Sequence, residues 1–351
     1  MITQFIDTLY EPVVNNVIAL SRALKLKISK TTIRNTFLQE LKGTHNIKIK
    51  DLQHVLHLLG INVFPAHVAK NELHEFFAPY FIMPGNEEDY FTVLLDIKDN
   101  VASIYDPYSG MMEWNYQENG NEPFLVLMIE SFEDALEDKM YEANIEQETR
   151  DRDRFRKQVI VIDNFISEDE CDKIIAFGER SSELRRSEID TIQKDGTVYS
   201  GYSSTRSSSS LNISNYPGLE SIVEKVAGIM QLPVVNMEPA QFVKYEKGQQ
   251  FKLHHDSFTG DERIKTAILY LNDGFDGGET NFPELELSIR PQKGTCLIFP
   301  DLDDEQAIIK ESLHSSLPIK SGTKYILTTF GCKGAFIQRD ISKFVPHYIK
   351  A

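Results

Sequence analysis

A single stretch, Glu130 to Lys157, limits what this chain can fold into. It carries ten acidic and six basic residues, with Leu136, Met140 and Ile145 as sparse apolar positions. Charged side chains lose too much solvation on burial for such a stretch to seed a core. It therefore predicts a solvated helix or connector over 131–157, separating an N-terminal domain at 1–130 from a C-terminal domain at 158–351. The 351 residues suffice for a core on each side of it.

Composition narrows the class. Apolar residues make up 41% and charged residues 26%, the balance of a globular chain. A net charge of −16 excludes a general nucleic-acid binder, because a phosphate backbone would be repelled. No apolar run reaches the roughly 18 residues of a membrane span. The opening residues lack the basic and apolar regions of a signal peptide, and Asp7 falls within them. The cysteines are Cys171, Cys296 and Cys332, odd in number and far apart. That pattern predicts reduced thiols and a cytoplasmic protein rather than a disulfide framework.

Before the connector, Val17, Leu20, Leu24 and Ile28 recur at helical spacing, as do Leu52, Val55, Leu56 and Leu59, stopping at Gly60. Ser29 is positioned to cap a helix carrying Ile33, Phe37 and Leu41. Strand-like runs follow at Tyr80 to Met83, Tyr90 to Leu95 and Val101 to Tyr105, with Asp106 to Gly110 as a turn. Helices then strands predict an α+β domain. After the connector, Gln158 to Asp163 reads as a strand. Ser167 and Glu170 read as a capping box opening a helix. Short strand-like runs from 236 onward, split by Gly and Asp turns, predict a closed or sandwiched β architecture such as a jelly roll.

The chemistry concentrates at Phe251-Lys-Leu-His254-His255-Asp256. On a strand, residues two apart share a face, so His254 and Asp256 sit side by side and His255 points away. His314, in Glu311-Ser-Leu-His314, is the candidate third ligand. Two histidines and one carboxylate on one face leave the opposite face of an iron ion open, the facial-triad arrangement of oxygenases. A lone His-x-Asp is far more often surface than site, so the neighbours matter. Lys324 follows in Ile319-Lys-Ser-Gly-Thr-Lys324-Tyr-Ile-Leu. A lysine directed inward from an apolar strand needs an anion, which a dicarboxylate cosubstrate would provide; the alternative is an ordinary surface lysine.

Together these residues resemble the prolyl 4-hydroxylase family of Fe(II)/2-oxoglutarate-dependent dioxygenases over about 158–332. The resemblance begins at Val161 to Cys171 and continues at Arg206-Ser-Ser. It is strongest from Glu238-Pro-Ala-Gln241 through Tyr245 and Gly248 to Asp256, then at Arg263 to Asn272, Gly277-Gly-Glu-Thr280, Pro291 to Gly294, and His314 to Lys324. It implies a double-stranded β-helix with supporting helices. Iron would be held by His254, Asp256 and His314, and Lys324 would pair with the distal carboxylate of 2-oxoglutarate. Tyr245 and Tyr270 would line the cosubstrate pocket. Arg206 and its serine-rich surroundings stand where the family has a mobile substrate lid, which fits an exposed loop as well. Molecular oxygen would be the second cosubstrate and ascorbate the reductant in vitro. Asp256 is the carboxylate that related halogenases lack, so hydroxylation is implied. Two positions depart from the family: Phe251 replaces Tyr, and Phe330 replaces Trp. Both leave the metal chemistry intact and the target residue open.

Residues about 30–127 resemble the papain-like C39 peptidase fold in degenerate form, through Leu52 to Ile61, Glu72-Leu73, Pro79 to Ile82, Tyr90 to Leu94 and Ile104 to Gly110. A cysteine peptidase needs a thiolate beside a base. No cysteine precedes Cys171, Tyr90 stands where the family has its His, and Asp106 alone remains. The resemblance implies a peptide-binding module that recruits a peptide or leader sequence, or else a structural or dimerising domain. His54 and His57, three apart on a helix, read as exposed polar residues rather than metal ligands. The reading is thus a hydroxylase of a peptidyl residue, proline foremost, with a homodimer possible. Its rivals are a hydroxylase of a free amino acid or small molecule, and a non-catalytic iron and 2-oxoglutarate sensor.

Overall fold

The computed structural model describes residues 3–41, 47–83, 91–107, 110–118, 122–192, 198–202, 205–257 and 262–336, with side chains outside 3–10 and 189–200. The chain splits into two compact units, Met1–Asp151 and Arg152–Ala351. No helix among the described residues is long and apolar enough to cross a membrane.

The first unit opens with helices α1 (Thr3–Ala23), α2 (Lys30–Glu40) and α3 (Ile49–Leu58). Ser29 caps α2 by accepting from the Thr32 backbone N–H at 3.2 Å. That bond satisfies one of the amide groups a helix start leaves without partners. Gly60 ends the α3 turn at φ +74, and a Cβ there would lie 2.1 Å from the Asp134 carbonyl oxygen, so only glycine fits.

Six strands follow: β1 (Asn62–Val68), β2 (Tyr80–Ile82), β3 (Thr92–Lys98), β4 (Val101–Asp106), β5 (Gly110–Trp114) and β6 (Phe124–Ser131). They form one antiparallel sheet in the order β1-β6-β2-β3-β4-β5. Period-2 alternation sorts the interior strand β2 between two cores. Phe81 joins the helices with Val17, Leu20, Phe37 and Leu56, while Tyr80 and Ile82 join Val68, Ala102 and Val126 on the other face.

Helix α4 (Tyr141–Arg156) occupies most of the charged stretch and buries only Phe155. The stretch is nevertheless tied to the first unit. Asp138 accepts from the Ser29 backbone N–H at 2.9 Å and its hydroxyl at 2.7 Å, and Glu148 accepts from Thr31.

In the second unit, β7 (Ile160–Ile162) leads into α5 (Glu168–Arg180). Ser167 caps α5 through the Glu170 backbone N–H. The Glu170 carboxylate accepts from the Tyr216 hydroxyl at 2.8 Å, a role the capping-box pattern did not foresee. Next come β8 (Arg185–Arg186), β9 (Ile189–Ile192), β10 (Val198–Gly201), β11 (Ser209–Asn212) and α6 (Leu219–Met230). The remaining strands are β12 (Gln241–Tyr245), β13 (Phe251–His254), β14 (Arg263–Tyr270), β15 (Asp276–Gly277), β16 (Thr280–Phe282) and β17 (Leu287–Ile289). They continue with β18 (Cys296–Pro300), β19 (His314–Ser316), β20 (Ile319–Ser321) and β21 (Lys324–Cys332).

A seven-stranded sheet runs β7-β18-β14-β21-β12-β11-β8, and a four-stranded sheet runs β13-β19-β16-β17; every pairing is antiparallel. Alternation again sorts the side chains. Ala267, Leu269 and Leu327 join α5 and α6 in one core. Ile268, Tyr270, Tyr245 and Ile326 join Phe282 and Ile319 in the other, between the sheets. Each fully buried Leu, Ile or Phe contributes roughly 1.5–3 kcal/mol. Serines 207–210, in the stretch around Arg206 read as a lid or an exposed loop, are at most half-exposed. Ser208 is fully buried, and β11 pairs with β12 on one side and β8 on the other.

Candidate metal centre

The four-stranded sheet places the candidate ligands. On β13 and β19, His254 pairs directly with His314. Asp256 follows in a bend just past the end of β13. Ligand atoms of His254, Asp256 and His314 all lie within 4.8 Å of one another. His254 Nδ1 lies 2.7 Å from the Lys252 carbonyl oxygen, and His314 Nδ1 lies 2.9 Å from that of Ser312. A carbonyl only accepts, so each Nδ1 carries the proton and each Nε2 keeps its lone pair. Those Nε2 atoms sit 3.4 and 3.5 Å from the two oxygens of Asp256. Two imidazole lone pairs converging on a carboxylate fit a divalent iron ion.

The surroundings hold these charge states. Burial pushes His314 down to about 4, with His254 adding to the shift, so its imidazole is neutral near pH 7. Burial works to raise Asp256, but His314, His254 and a Thr266 hydrogen bond outweigh it and keep the carboxyl well below its usual range. Thr266 Oγ1 lies 2.8 Å from Asp256 Oδ2 and 2.8 Å from Oδ2 of the buried Asp301. Phe282 and Phe299 cover His314, with ring centroids 5.5 and 4.9 Å away. His255 stays outside the cluster. Its Nδ1 is 3.1 Å from the Ser312 hydroxyl, which donates onward to the Ile309 carbonyl. Burial, with His314 and His254 behind it, lowers His255 to about 3.

Two residues along β19 from His314, and so on the same face, Ser316 receives Lys324. The Lys324 ammonium donates to Ser316 Oγ at 2.8 Å and to the Gly278 carbonyl at 2.6 Å, both neutral acceptors. It is 1% exposed, and burial pulls it down from 10.5 to about 7. Tyr245 and Tyr270 stand beside it, their ring centroids 5.3 and 5.7 Å from Nζ. The Tyr270 hydroxyl is 2.7 Å from Thr280 Oγ1. Burial raises both phenols above their ordinary value. Glu279 acts on this cation electrostatically, but burial outweighs it, and a buried cation whose hydrogen-bond acceptors are both neutral is a fit for an incoming carboxylate.

Arg206 forms an isolated antiparallel bridge with Phe251, and its guanidinium lies 5.0 Å from that ring. Residues 203–204, in the serine-rich surroundings of Arg206, lie outside the described residues. Phe330, the second departure, lies under the Arg263 guanidinium at 4.1 Å. Sequence reasoning assigned no role to Thr266, Thr280, Asp301, Gly278 or Ser316. Thr266, a polar residue opening the apolar run to Tyr270, was the available signal.

In the first unit, Asp106 is buried at the end of β4, and Tyr90 lies outside the described residues. His54 Nε2 is 3.1 Å from Glu40, and His57 Nδ1 is 2.8 Å from Asn62 Oδ1, so each exposed histidine has a protein partner.

Comparison with known proteins agrees with this geometry. The model of the 2OG-Fe(II) oxygenase superfamily matches residues 240–331, which include all three clustered residues and Lys324. The Peptidase C39 family model matches residues 16–122. A putative prolyl 4-hydroxylase of Acanthamoeba polyphaga mimivirus is 30% identical over 181 residues, 47% of this chain and 70% of that protein. Prolyl 4-hydroxylase 1 of Arabidopsis thaliana is 28% identical over 195 residues, 49% of this chain and 67% of that protein. Among solved structures, the 2OG complex of a viral collagen prolyl hydroxylase from Paramecium Bursaria Chlorella virus-1 is 26% identical. It covers 49% of this chain and 94% of its own at a TM-score of 0.37.

Proposed function

The chain belongs to the prolyl 4-hydroxylase family of 2-oxoglutarate-dependent iron(II) oxygenases, and we propose on that premise that it hydroxylates a peptidyl residue, proline foremost. The observation that carries the reading is the convergence of His254, Asp256 and His314 beside a buried lysine whose hydrogen-bond acceptors are neutral. Iron(II), 2-oxoglutarate and oxygen supply the oxidation when bound.

The chain's own residues bind, orient and exclude water. His254 and His314 offer their Nε2 lone pairs, held by Nδ1 bonds to backbone carbonyls. Asp256 completes the set, steadied by Thr266. Lys324 pairs with the distal carboxylate of 2-oxoglutarate, and Tyr245 and Tyr270 wall that pocket. Phe282 and Phe299 keep the His314 side dry. We read the two facing sheets as the family's double-stranded β-helix. The C39-like unit is read as the recruiter of the peptide or its leader, since it lacks any cysteine for peptide cleavage.

The test is incubation with iron(II), ascorbate, 2-oxoglutarate and proline-rich or candidate precursor peptides. Mass spectrometry should find one added oxygen on the peptide, lost in His314→Ala. Hydroxylation of a free amino acid that survives removal of the first unit would favour the small-molecule reading. Tight cosubstrate binding with no succinate under any peptide condition would favour a sensor.

A further inference from the structure

Phe251 stands where the family has Tyr, and its ring does something the loss of a hydroxyl does not explain. It lies on the His254 imidazole with centroids 3.5 Å apart and planes 14° apart. A regular strand would send residues three apart to opposite faces. The β13 register is irregular between Phe251 and His254, and such an irregularity re-aims a side chain. The ring also packs against the core between the sheets, and the Arg206 guanidinium lies 5.0 Å from its centroid.

Backbone bonds fix Arg206 opposite Phe251: the Lys252 N–H donates to the Thr205 carbonyl at 2.8 Å, and the Ser207 N–H to that of Gln250 at 3.1 Å. Arg206 Nε donates to the buried Ser208 hydroxyl at 3.0 Å, which sits 2.9 Å from Ser187 Oγ. The cation is thereby held in place against the ring.

We infer that Phe251 is a positioning residue for the metal, fixing the plane of the His254 imidazole through an Arg206–Phe251–His254 stack. One hydrogen bond, from Nδ1 to the Lys252 carbonyl, pins a point of the imidazole, and the His314 ring, 4.3 Å away and tilted by 52°, offers no parallel face to stop the imidazole rocking about it. A flat face packed against it stops that rocking and keeps the Nε2 lone pair aimed at the ion. A neutral ring with no polar edge does this beside a cation without demanding a partner of its own. The inference rests on the reading of His254 as a ligand.

The test uses the full chain stripped of metal and titrated with cobalt(II), whose visible absorption reports ligand geometry. Phe251→Leu keeps an apolar side chain but removes the flat face. It should weaken cobalt binding about 2- to 12-fold, the equivalent of about 0.5–1.5 kcal/mol for an aromatic pair, and alter the visible band. Phe251→Tyr restores the flat face and should restore both affinity and band. Phe251→Met serves the same purpose if the leucine variant does not fold. Parent-like affinity and spectrum in the Leu or Met variant, with the metal-free melting temperature unchanged, overturn the positioning role. Failure of the parent chain to bind cobalt overturns instead the ligand assignment beneath it.

Discussion

Replacing Lys324 with Met should stabilise the empty protein while abolishing cosubstrate binding. The lysine is 1% exposed, and its acceptors Gly278 and Ser316 are neutral. Burial holds it at about 7 against an ordinary 10.5. Between those values the unfolded chain binds more protons than the folded one, so stability rises with pH across the window. The gap, at about 1.36 kcal/mol per pH unit, is about 5 kcal/mol of destabilisation, present in full below pH 7 and gone above pH 10.5. About 2 kcal/mol of it persists at pH 9. Methionine keeps the apolar stem but leaves two acceptors without their donor, at about 2 kcal/mol. The variant should therefore exceed the parent by about 3 kcal/mol at pH 6 and match it near pH 9. Urea unfolding of the metal-free protein at both pH values measures this. Calorimetry with 2-oxoglutarate should show at least a roughly hundredfold loss of affinity, the order of a lost buried charge pair. An advantage equal at both pH values, or cosubstrate binding as tight as the parent's, would refute the reasoning.

Other expectations follow from particular contacts. Thr266→Val removes the hydroxyl bond to Asp256 and should weaken metal binding about tenfold with the fold retained, as read by cobalt titration. Gly278→Ala would set a Cβ 2.5 Å from Ile319 Cδ1 and 3.1 Å from Lys324 Cδ at a φ of +70; it should raise KM for 2-oxoglutarate more than it lowers kcat. Asp138→Asn, in the first unit, should cost about 1 kcal/mol near pH 7 through the weakened tie to Ser29. Hydrogen bonds from Ser29, Thr32 and Met140 outweigh burial and lower the Asp138 carboxyl below 3.8, so the parent's advantage is present above that value and lost as pH falls through the folded one. Acid melting curves of the two proteins should converge accordingly.

What the sequence disclosed, and what it hid, follow from physical range. Ser29, Ser167 and Gly60 act through neighbours a few residues away, so local pattern placed them. Strand β1 was hidden because Pro65 and His67 break the apolar alternation; as an edge strand it tolerates the missing amide of Pro65. Strand β6 is a near-continuous apolar run whose burial depends on partners β1 and β2, distant in sequence. At the site, the His-x-Asp spacing was legible, whereas the pairing of His254 with His314 rested on family resemblance. The stack of Phe251 on His254 contradicts simple strand alternation and arises from an irregular register that no local pattern signals. Asp138 and Glu148 look like solvated linker charges, yet they hold the start of α2 across more than a hundred residues.

The most direct test is an anaerobic titration of the iron(II)-loaded chain with 2-oxoglutarate, followed by visible absorption. A cosubstrate chelating an iron held by His254, Asp256 and His314 should produce a charge-transfer band that saturates at one equivalent. The band should vanish in His314→Ala and require far more cosubstrate in Lys324→Met. No band in the parent chain, or a band indifferent to both substitutions, would contradict the site described.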